Sequence, residues 1–196
     1  MNILVTGSSS LIGSALVRTH TVHGNQFTRI LSAKSSQDTP YWHPEKGKIS
    51  LEGVKDIDAV IHLAGENIGT RRWTAAKKER ILQSRVKGTQ VLSEALAHLP
   101  RKPSVLISAS GIGVYGHRGD EWVDETSDSG EGFLAEVAQQ WEAATRPADR
   151  AGIRVVTIRL GLVLSRTGGA LKEMLFPFQL GVGGRIGPGT QYMSWV

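Results

Sequence analysis

The chain of 196 residues carries 23 Lys and Arg against 18 Asp and Glu, a formal net charge of +5. It is 40% hydrophobic and 21% charged, which is ordinary for a globular protein, and it is long enough for one domain with a sizeable core. The absence of cysteine excludes disulfides and thiolate metal sites. No apolar run approaches the ~18 residues of a membrane span, and the N-terminus lacks the pattern of a signal peptide. We expect a cytoplasmic protein that does not associate with membranes.

In the first part of the chain, short apolar runs alternate with one helical pattern. The predicted elements are a strand at Ile3–Val5, a helix at Leu11–Thr21, a strand at Phe27–Leu31, a short strand near Ile49–Leu51 and a buried strand at Ala59–Ala64. Residues 35–56 are otherwise polar and irregular and contain two prolines. The closest histidine pair, His20 and His23, has no third ligand nearby, so we expect no metal site.

The second part of the chain continues the alternation with longer helices. The predicted elements are a helix at Thr74–Leu99, a strand at Ser104–Ser108, a helix at Leu134–Ala148 and a strand at Ile153–Leu160. Apolar residues recur at three- and four-residue spacing through the first of these helices. We expect Pro147 to end or kink the second helix, because proline cannot donate a helical hydrogen bond.

Strands that alternate with helices pair in parallel through right-handed crossovers. Strands that are apolar along their whole length belong to a sheet covered on both faces. The predicted fold class is therefore α/β, a doubly wound parallel sheet with helices on both faces, formed by one domain over residues 1–196. Ligands of such folds bind outside the carboxyl ends of the strands.

The first of these strand ends carries the stretch GSSSLIG, residues 7–13. Gly7 and Gly13 have the spacing of the outer glycines in a phosphate-binding turn, with Ser10 at the middle position. A purely structural serine turn is the alternative, but the strand–turn–helix context favours a nucleotide site. Ser10 could cap the helix, and its hydroxyl could also donate to a phosphate oxygen.

The second predicted strand indicates which dinucleotide would bind. An NAD site usually carries an acid about 20 residues after the glycine turn, bonded to the ribose 2′-hydroxyl. Here no acid lies between Asn25 and Gln37, and Ser32 and Lys34 occupy that region. A hydroxyl with a nearby ammonium suits a 2′-phosphate, so the sequence predicts NADP(H) and makes NAD(H) the less favoured cofactor.

Basic residues cluster in residues 71–87, where Glu79 is the one acid. Such a run can bind nucleic acid, but here it lies on a helical pattern, which favours a solvated helix face. Arg85 differs because it shares its helix face with Ile81 and Leu92. A charge among apolar positions needs a partner or an anionic ligand, or else its stem lies along the surface with the head in water.

Longer stretches of the chain resemble a known family. They are VTGSSSLIG, DAVIHLAGENI, RRWTAAKKERILQSRVKGTQ, VLISASGIGVYG, QQWEAA and the final stretch from RLGLVLSRTGG to TQYMSWV. They are similar to epimerase-family proteins of the extended short-chain dehydrogenase/reductase superfamily, in the atypical branch called nucleoside-diphosphate sugar epimerase. The resemblance covers essentially the whole chain and implies a Rossmann fold and an NADP(H) cofactor.

The resemblance also implies which residues bind the cofactor: a pyrophosphate turn, an adenosine phosphate site, the end of the AVIHLA strand, one arginine from the long helix and a residue near the nicotinamide. These residues are Gly7, Ser10, Leu11, Ile12, Gly13, Ser32, Lys34, Leu63, Ala64, Gly65, Arg85, Ser108 and Val163.

The catalytic region departs from the superfamily, whose enzymes typically use a Tyr-x-x-x-Lys pair for proton transfer. No tyrosine of this chain has a lysine four residues later, and Leu134 and Ala138 stand at about the two catalytic positions. The remaining candidates lie in SASGIGVYG and are Ser108, Ser110 and Tyr115, of which Ser110 and Tyr115 are the predicted catalytic residues. Since no lysine occurs between Lys102 and Lys172, Tyr115 has no lysine partner in its part of the sequence, and these residues could equally well only shape a loop.

Two functions therefore stay open. One is an NADP(H)-dependent oxidoreductase or epimerase-like enzyme with an unknown small-molecule substrate, which could be a nucleotide sugar. The other is a non-catalytic NADP(H)-binding regulatory or interaction protein, for example in cell or plastid division. Nucleic-acid binding ranks last. Because relatives continue past the final motif, we expect the family's C-terminal substrate-binding segment to be absent, and exposed apolar surface near Phe176–Phe178 would favour a homodimer.

Overall fold

The structure is a computed structural model that describes residues 1–30, 40–69, 72–185 and 187–196, without the side chain of Glu45. The strands in these ranges are β1 (Asn2–Thr6), β2 (Gln26–Ile30), β3 (Tyr41–His43), β4 (Lys48–Ser50), β5 (Ala59–His62), β6 (Val105–Gly111) and β7 (Arg154–Leu160). The α-helices are α1 (Leu11–Thr21), α2 (Ala75–Ala97), α3 (Phe133–Ala143), α4 (Arg146–Arg150) and α5 (Gly169–Gln179). None of the helices in the described ranges is both long and apolar enough to cross a membrane.

Five of the strands form one parallel sheet in the order β2-β1-β5-β6-β7. The predicted doubly wound parallel sheet is therefore confirmed. β2 and β5 lie on opposite sides of β1, so right-handed crossovers place α1 on one face and α2 to α4 on the other. The strand order reverses between β1 and β5, and this switch point is where doubly wound sheets bind their ligands.

Helix α2 supplies much of the core on its face of the sheet. The Thr74 hydroxyl caps its first turn by accepting a hydrogen bond from the Lys77 amide at 3.2 Å. Ile81, Leu92 and Leu96 follow at helical spacing and are fully buried. The main buried cluster consists of Leu4, Ile30, Trp42, Ile57, Val60, Leu92, Leu96, Leu106, Ala148 and Ile153.

The polar stretch before β5 forms an antiparallel hairpin of β3 and β4, joined by a 3₁₀ turn at Pro44–Lys46. The sequence indicated one short strand near Ile49–Leu51 and missed β3. Trp42 anchors this hairpin, and its side chain is only 3% exposed. It packs against α2 at Gly88, where a Cβ would lie 2.8 Å from Cζ2 of the indole. Glycine at position 88 is therefore needed for the hairpin to dock.

The helix predicted over Leu134–Ala148 is two helices. Helix α3 ends at Ala143, and Pro147 lies in the first turn of α4, where its missing amide costs no hydrogen bond. The predicted interruption at Pro147 is confirmed. The other predicted elements are present with ends shifted by a few residues, except that Leu31 lies outside the described residues.

Candidate functional site

The glycine turn closes tightly on the end of β5. Gly7 has φ +71°, a left-handed conformation that favours glycine, and a Cβ there would lie 2.7 Å from the carbonyl carbon of Leu63. A Cβ on Gly13 would overlap the carbonyl oxygen of Gly7 and lie 2.9 Å from Cα of Ser8. Both outer positions therefore exclude any side chain.

Ser10 occupies the middle position of the turn and caps α1. Its hydroxyl oxygen accepts a hydrogen bond from the Gly13 amide at 3.1 Å, while its own amide donates to Gly7 at 3.0 Å. The predicted N-cap role is confirmed. Because the oxygen acts as acceptor in the cap, the hydroxyl proton stays available to a ligand. The next amides, of Leu11 and Ile12, begin the helix and have no helical acceptor, as is usual for an anion-binding helix start.

A cavity of about 620 Å³, the turn cavity, opens at the switch point between β1 and β5. The glycine turn, the residues after β5 and the β3–β4 hairpin all border it. Its lining consists of Gly7, Ser8, Ser9, Ser10, Ile30, Trp42, His43, Pro44, Lys46, Leu63, Ala64, Gly65, Glu66 and Ser84. A volume of this size accommodates a ligand such as a nucleoside.

A second cavity of about 560 Å³, the apolar cavity, adjoins the first, since Ser10 and Leu63 border both. The ends of β6 and β7 and one face of α3 form most of its wall. Its lining includes Ile12, Ile68, Arg85, Ser110, Ile112, Leu134, Val137, Ala138, Trp141, Leu160 and Val163. The two cavities thus form two compartments that meet at the glycine turn, one with a mixed polar and apolar lining and one with a mainly apolar lining.

Arg85 lies between these compartments, half-buried, with its guanidinium close to Gly65 and Trp141. It donates to the carbonyl of Glu66 at 3.0 Å and stacks 5.1 Å above the ring of Trp141. A Cβ on Gly65 would lie 3.2 Å from its Cζ, so glycine at position 65 gives the guanidinium room. Burial lowers the pKa of Arg85, although the nearby Glu66 carboxylate opposes this effect. The guanidinium thus has protein partners, while the side chain as a whole stays partly exposed.

The loop after β5 is tied to α2 at Glu66. Its carboxylate pairs with the Lys77 ammonium at 2.6 Å, and its backbone amide donates a hydrogen bond to the Ser84 hydroxyl oxygen at 3.0 Å. The hydrogen bond from Lys77 holds the pKa of Glu66 below its usual value. Lys77 is only 4% exposed, so the prediction that residues 71–87 form a solvated face is wrong for this residue. The pairing fixes the part of the loop that borders the turn cavity.

Ser110 and Tyr115, the candidate catalytic residues, belong to one polar network. Ser110 donates to Glu142 at 2.7 Å, Arg159 binds the same carboxylate through two nitrogens at 3.0 Å, and Arg159 also donates to the Tyr115 hydroxyl at 3.0 Å. Burial would raise the pKa of Glu142, but the hydrogen bonds from Arg159 and Ser110 outweigh it and hold the pKa below the usual value. The sequence showed no lysine partner for Tyr115, and the fold brings the Arg159 guanidinium to its hydroxyl from β7.

Replacing Glu142 with alanine is expected to lower the free energy of unfolding by about 2–3 kcal/mol, because Arg159 and Ser110 would both lose their charged acceptor. Urea denaturation measures the loss. Glu136→Ala is the matched control, since Glu136 is an exposed carboxylate on the same helix and its removal should cost less than about 1 kcal/mol. Equal losses in the two variants would show that the network is not a structural anchor.

The structure brings most of the predicted cofactor residues to the two cavities. Gly7, Ser10, Leu63, Ala64 and Gly65 border the turn cavity, while Ile12, Arg85 and Val163 border the apolar cavity. Gly13 and Leu11 lie behind the turn, and Leu11 packs against Gly169. Ser108 is buried in β6, where its hydroxyl donates to Ala109 at 3.4 Å. Ser32 and Lys34 lie outside the described residues.

Other residues of these cavities were not singled out from the sequence. Trp141 and Ile68 border the apolar cavity, and His43 and Lys46 border the turn cavity. Tyr115 borders neither; it faces a third, outer cavity of about 840 Å³ beside β7 together with Arg118 and Arg159. The tryptophan in QQWEAA lies on the predicted apolar stripe of α3, which is the sequence signal that could have placed it near the site.

Comparison with known proteins agrees with this architecture. The profile of the NAD dependent epimerase/dehydratase family matches residues 3–177. Epimerase family protein Mb2239 of Mycobacterium bovis is 43% identical over 195 residues, which cover 99% of this chain and 64% of that protein. The chain thus spans somewhat less than two thirds of the length of this relative.

Two solved structures resemble the whole chain. Human epimerase family protein SDR39U1, crystallised with NADPH, is 36% identical with a TM-score of 0.86, covering 100% of this chain and 65% of that one. The nucleoside-diphosphate sugar epimerase of Corynebacterium glutamicum is 37% identical with a TM-score of 0.85, covering 100% of this chain and 41% of that one. Since the family profile matches most of the sequence and the Rossmann sheet matches these relatives throughout, the chain belongs to the NAD dependent epimerase/dehydratase family, as an epimerase-like protein of the extended short-chain dehydrogenase/reductase superfamily.

Proposed function

We propose that this chain binds NADP(H) across the carboxyl end of its sheet, as an epimerase- or oxidoreductase-like protein whose substrate is a small molecule. The observation that carries the proposal is the glycine turn at the switch point, where a Cβ on Gly7 or Gly13 would collide with backbone. Such a turn lets a pyrophosphate approach the backbone closely. The human relative crystallised with NADPH supports the same assignment.

The residues around the turn fit a dinucleotide in two compartments. Ser10 and the first amides of α1 would hold the pyrophosphate, the turn cavity would take the adenosine, and the apolar cavity beside Val163 would take the nicotinamide. When bound, the nicotinamide supplies a hydride donor or acceptor. The protein's part is to orient that ring between α3 and the end of β7 and to exclude water with apolar side chains.

The preference for NADP(H) over NAD(H) rests on the sequence between Asn25 and Gln37, which lacks an acid for a ribose 2′-hydroxyl. Calorimetric titration of the chain with NADPH and NADH tests both binding and preference. We expect NADPH to bind at least about tenfold more tightly, which corresponds to about 1.4 kcal/mol. Tighter binding of NADH would refute the preference, and no binding of either would refute the function.

Arg85 is proposed to contact the cofactor, because its half-buried side chain borders the apolar cavity and its guanidinium lies beside Gly65 at the end of β5. Arg85→Ala is expected to weaken NADPH binding about tenfold or more, as loss of a charge-assisted contact does. Calorimetry of the folded variant measures this. Arg80→Ala is the control, since Arg80 is an exposed arginine on the same helix, 3.7 Å from Glu66. Unchanged affinity of Arg85→Ala would remove this residue from the site.

One observation favours a second candidate function, a non-catalytic NADP(H)-binding regulatory or interaction protein. Leu134 and Ala138, at the positions expected for the catalytic pair, line the apolar cavity, and the Ser110 hydroxyl is engaged by Glu142. Among the described residues that line this cavity, no tyrosine is accompanied by a lysine. Two measurements separate the candidates. Turnover of NADPH with nucleotide sugars above the protein-free rate supports an enzyme, and a partner protein whose binding depends on NADPH supports a regulator.

A further inference from the structure

The 3₁₀ turn of the β3–β4 hairpin borders the turn cavity, and this turn carries a lysine. Pro44 and Lys46 line the cavity together with the glycine turn and with Ile30, the last residue of β2. Lys46 stands at the end of the 3₁₀ turn, directly before Gly47, whose φ of +61° reverses the chain into β4. The hairpin, which is separate from the glycine turn, thus places a positively charged side chain at the wall of the proposed nucleotide site.

The position of Lys46 is fixed by packing on α2. Trp42 is buried against Gly88 and lies edge-on to the ring of His62 at 5.5 Å between centroids. A Cβ on Gly88 would also lie 3.3 Å from Cβ of Pro44. These contacts anchor the residues before Lys46 on the main core and hold the turn beside the cavity.

The charge of Lys46 has no counter-charge within the parts of the chain that the structure describes. No hydrogen bond or ion pair joins its ammonium to any residue there. The acid on the same cavity wall, Glu66, is already paired with Lys77 at 2.6 Å. An uncompensated ammonium at the wall of a nucleotide cavity favours an anionic group of the ligand.

The strand order indicates which anionic group this is. In doubly wound folds the ribose 2′ position is read at the end of the second strand, and Ile30 at the end of β2 borders the same cavity as Lys46. The pyrophosphate is assigned to the glycine turn, which leaves the 2′-phosphate of NADP(H). We propose that Lys46 binds this 2′-phosphate, so that the hairpin sets the cofactor preference. The inference rests on the proposed function.

The test compares two variants of the same hairpin. Lys46→Ala and Lys48→Ala each remove one positive charge from an exposed lysine, but only Lys46 borders the cavity. Calorimetry with NADPH, NADH, 2′,5′-ADP and 5′-AMP reports the 2′-phosphate separately from the rest of the ligand. For Lys46→Ala we expect NADPH and 2′,5′-ADP to bind about tenfold more weakly while NADH and 5′-AMP are unchanged. Lys46→Arg should keep the preference, and Lys48→Ala should change no affinity.

Two results would overturn the inference without touching the proposed function. The first is that Lys46→Ala still prefers NADPH as strongly as the wild type does. This result would count most if Lys34→Ala abolished the preference. The other is an equal loss for NADPH and NADH in Lys46→Ala, which would mean that the lysine contacts a group shared by both. Failure of the wild-type chain to bind either dinucleotide would instead refute the proposed function itself.

Discussion

Gly13→Ala is expected to weaken NADPH binding about a hundredfold or more and to lower the free energy of unfolding by about 1–3 kcal/mol. The added methyl group would overlap the Gly7 carbonyl oxygen and press on Cα of Ser8, both of them backbone. Backbone cannot rotate away as the end of a flexible side chain can, so α1 must shift from the turn. The shift would also break the Ser10 cap, whose acceptor and donor are only 3.1 Å apart. Calorimetry and urea denaturation measure the two losses.

The control for this experiment is Gly184→Ala, where an added Cβ meets no atom within 4 Å and the backbone is not left-handed. This variant should bind NADPH and unfold like the wild type. Normal NADPH affinity in Gly13→Ala would contradict the assignment of the pyrophosphate to this turn. A loss of stability without a loss of affinity would support the close packing of α1 on the turn but would show that NADPH binds at another site.

Acidification from pH 6.5 to pH 4 is expected to destabilise the fold through His62 by up to about 3 kcal/mol. His62 is fully buried between β1 and α2, with one ring nitrogen 2.6 Å from the Thr6 hydroxyl and the other 2.9 Å from the Thr89 hydroxyl. Burial lowers its pKa from 6.5 to about 4. Between these values the unfolded chain binds a proton that the folded chain does not, so stability is complete above pH 6.5 and is lost as the pH falls.

Urea denaturation at several pH values measures this dependence. His62→Asn should lose stability at neutral pH but should no longer show the part of the pH slope that His62 contributes. His98→Gln is the control, because His98 is exposed and its removal should leave the slope unchanged. If His62→Asn keeps the full slope between pH 6.5 and pH 4, the acid sensitivity comes from other groups and the buried neutral histidine is not its cause.

The sheet and the glycine turn could be predicted because local rules determine them. Apolar runs alternating with helical spacing require parallel pairing. Gly13 is constrained by Gly7 and Ser8 a few residues away, and Gly7 by the end of β5, the neighbour of β1 in the sheet. The N-cap at Ser10 depends only on its own helix. These features can be recognised from the spacing of residues, which is visible in a single sequence.

The hairpin and the polar pairs depend on contacts between distant segments, which spacing does not show. Trp42 is core only because Gly88 on α2 leaves room for its ring. Tyr115 receives a cation from Arg159, 44 residues later in the chain. Lys77 looked solvated within a basic run, but the loop after β5 brings the Glu66 carboxylate to 2.6 Å from it. Each of these contacts exists only after the sheet has assembled.

The most direct test of the account is a crystal structure of this chain soaked with NADPH. We expect the pyrophosphate at the amides that follow Ser10, the adenosine in the turn cavity with its 2′-phosphate at Lys46, and the nicotinamide in the apolar cavity beside Val163. A nucleotide bound away from the Gly7–Gly13 turn, or one lying with the nicotinamide in the turn cavity, would contradict it.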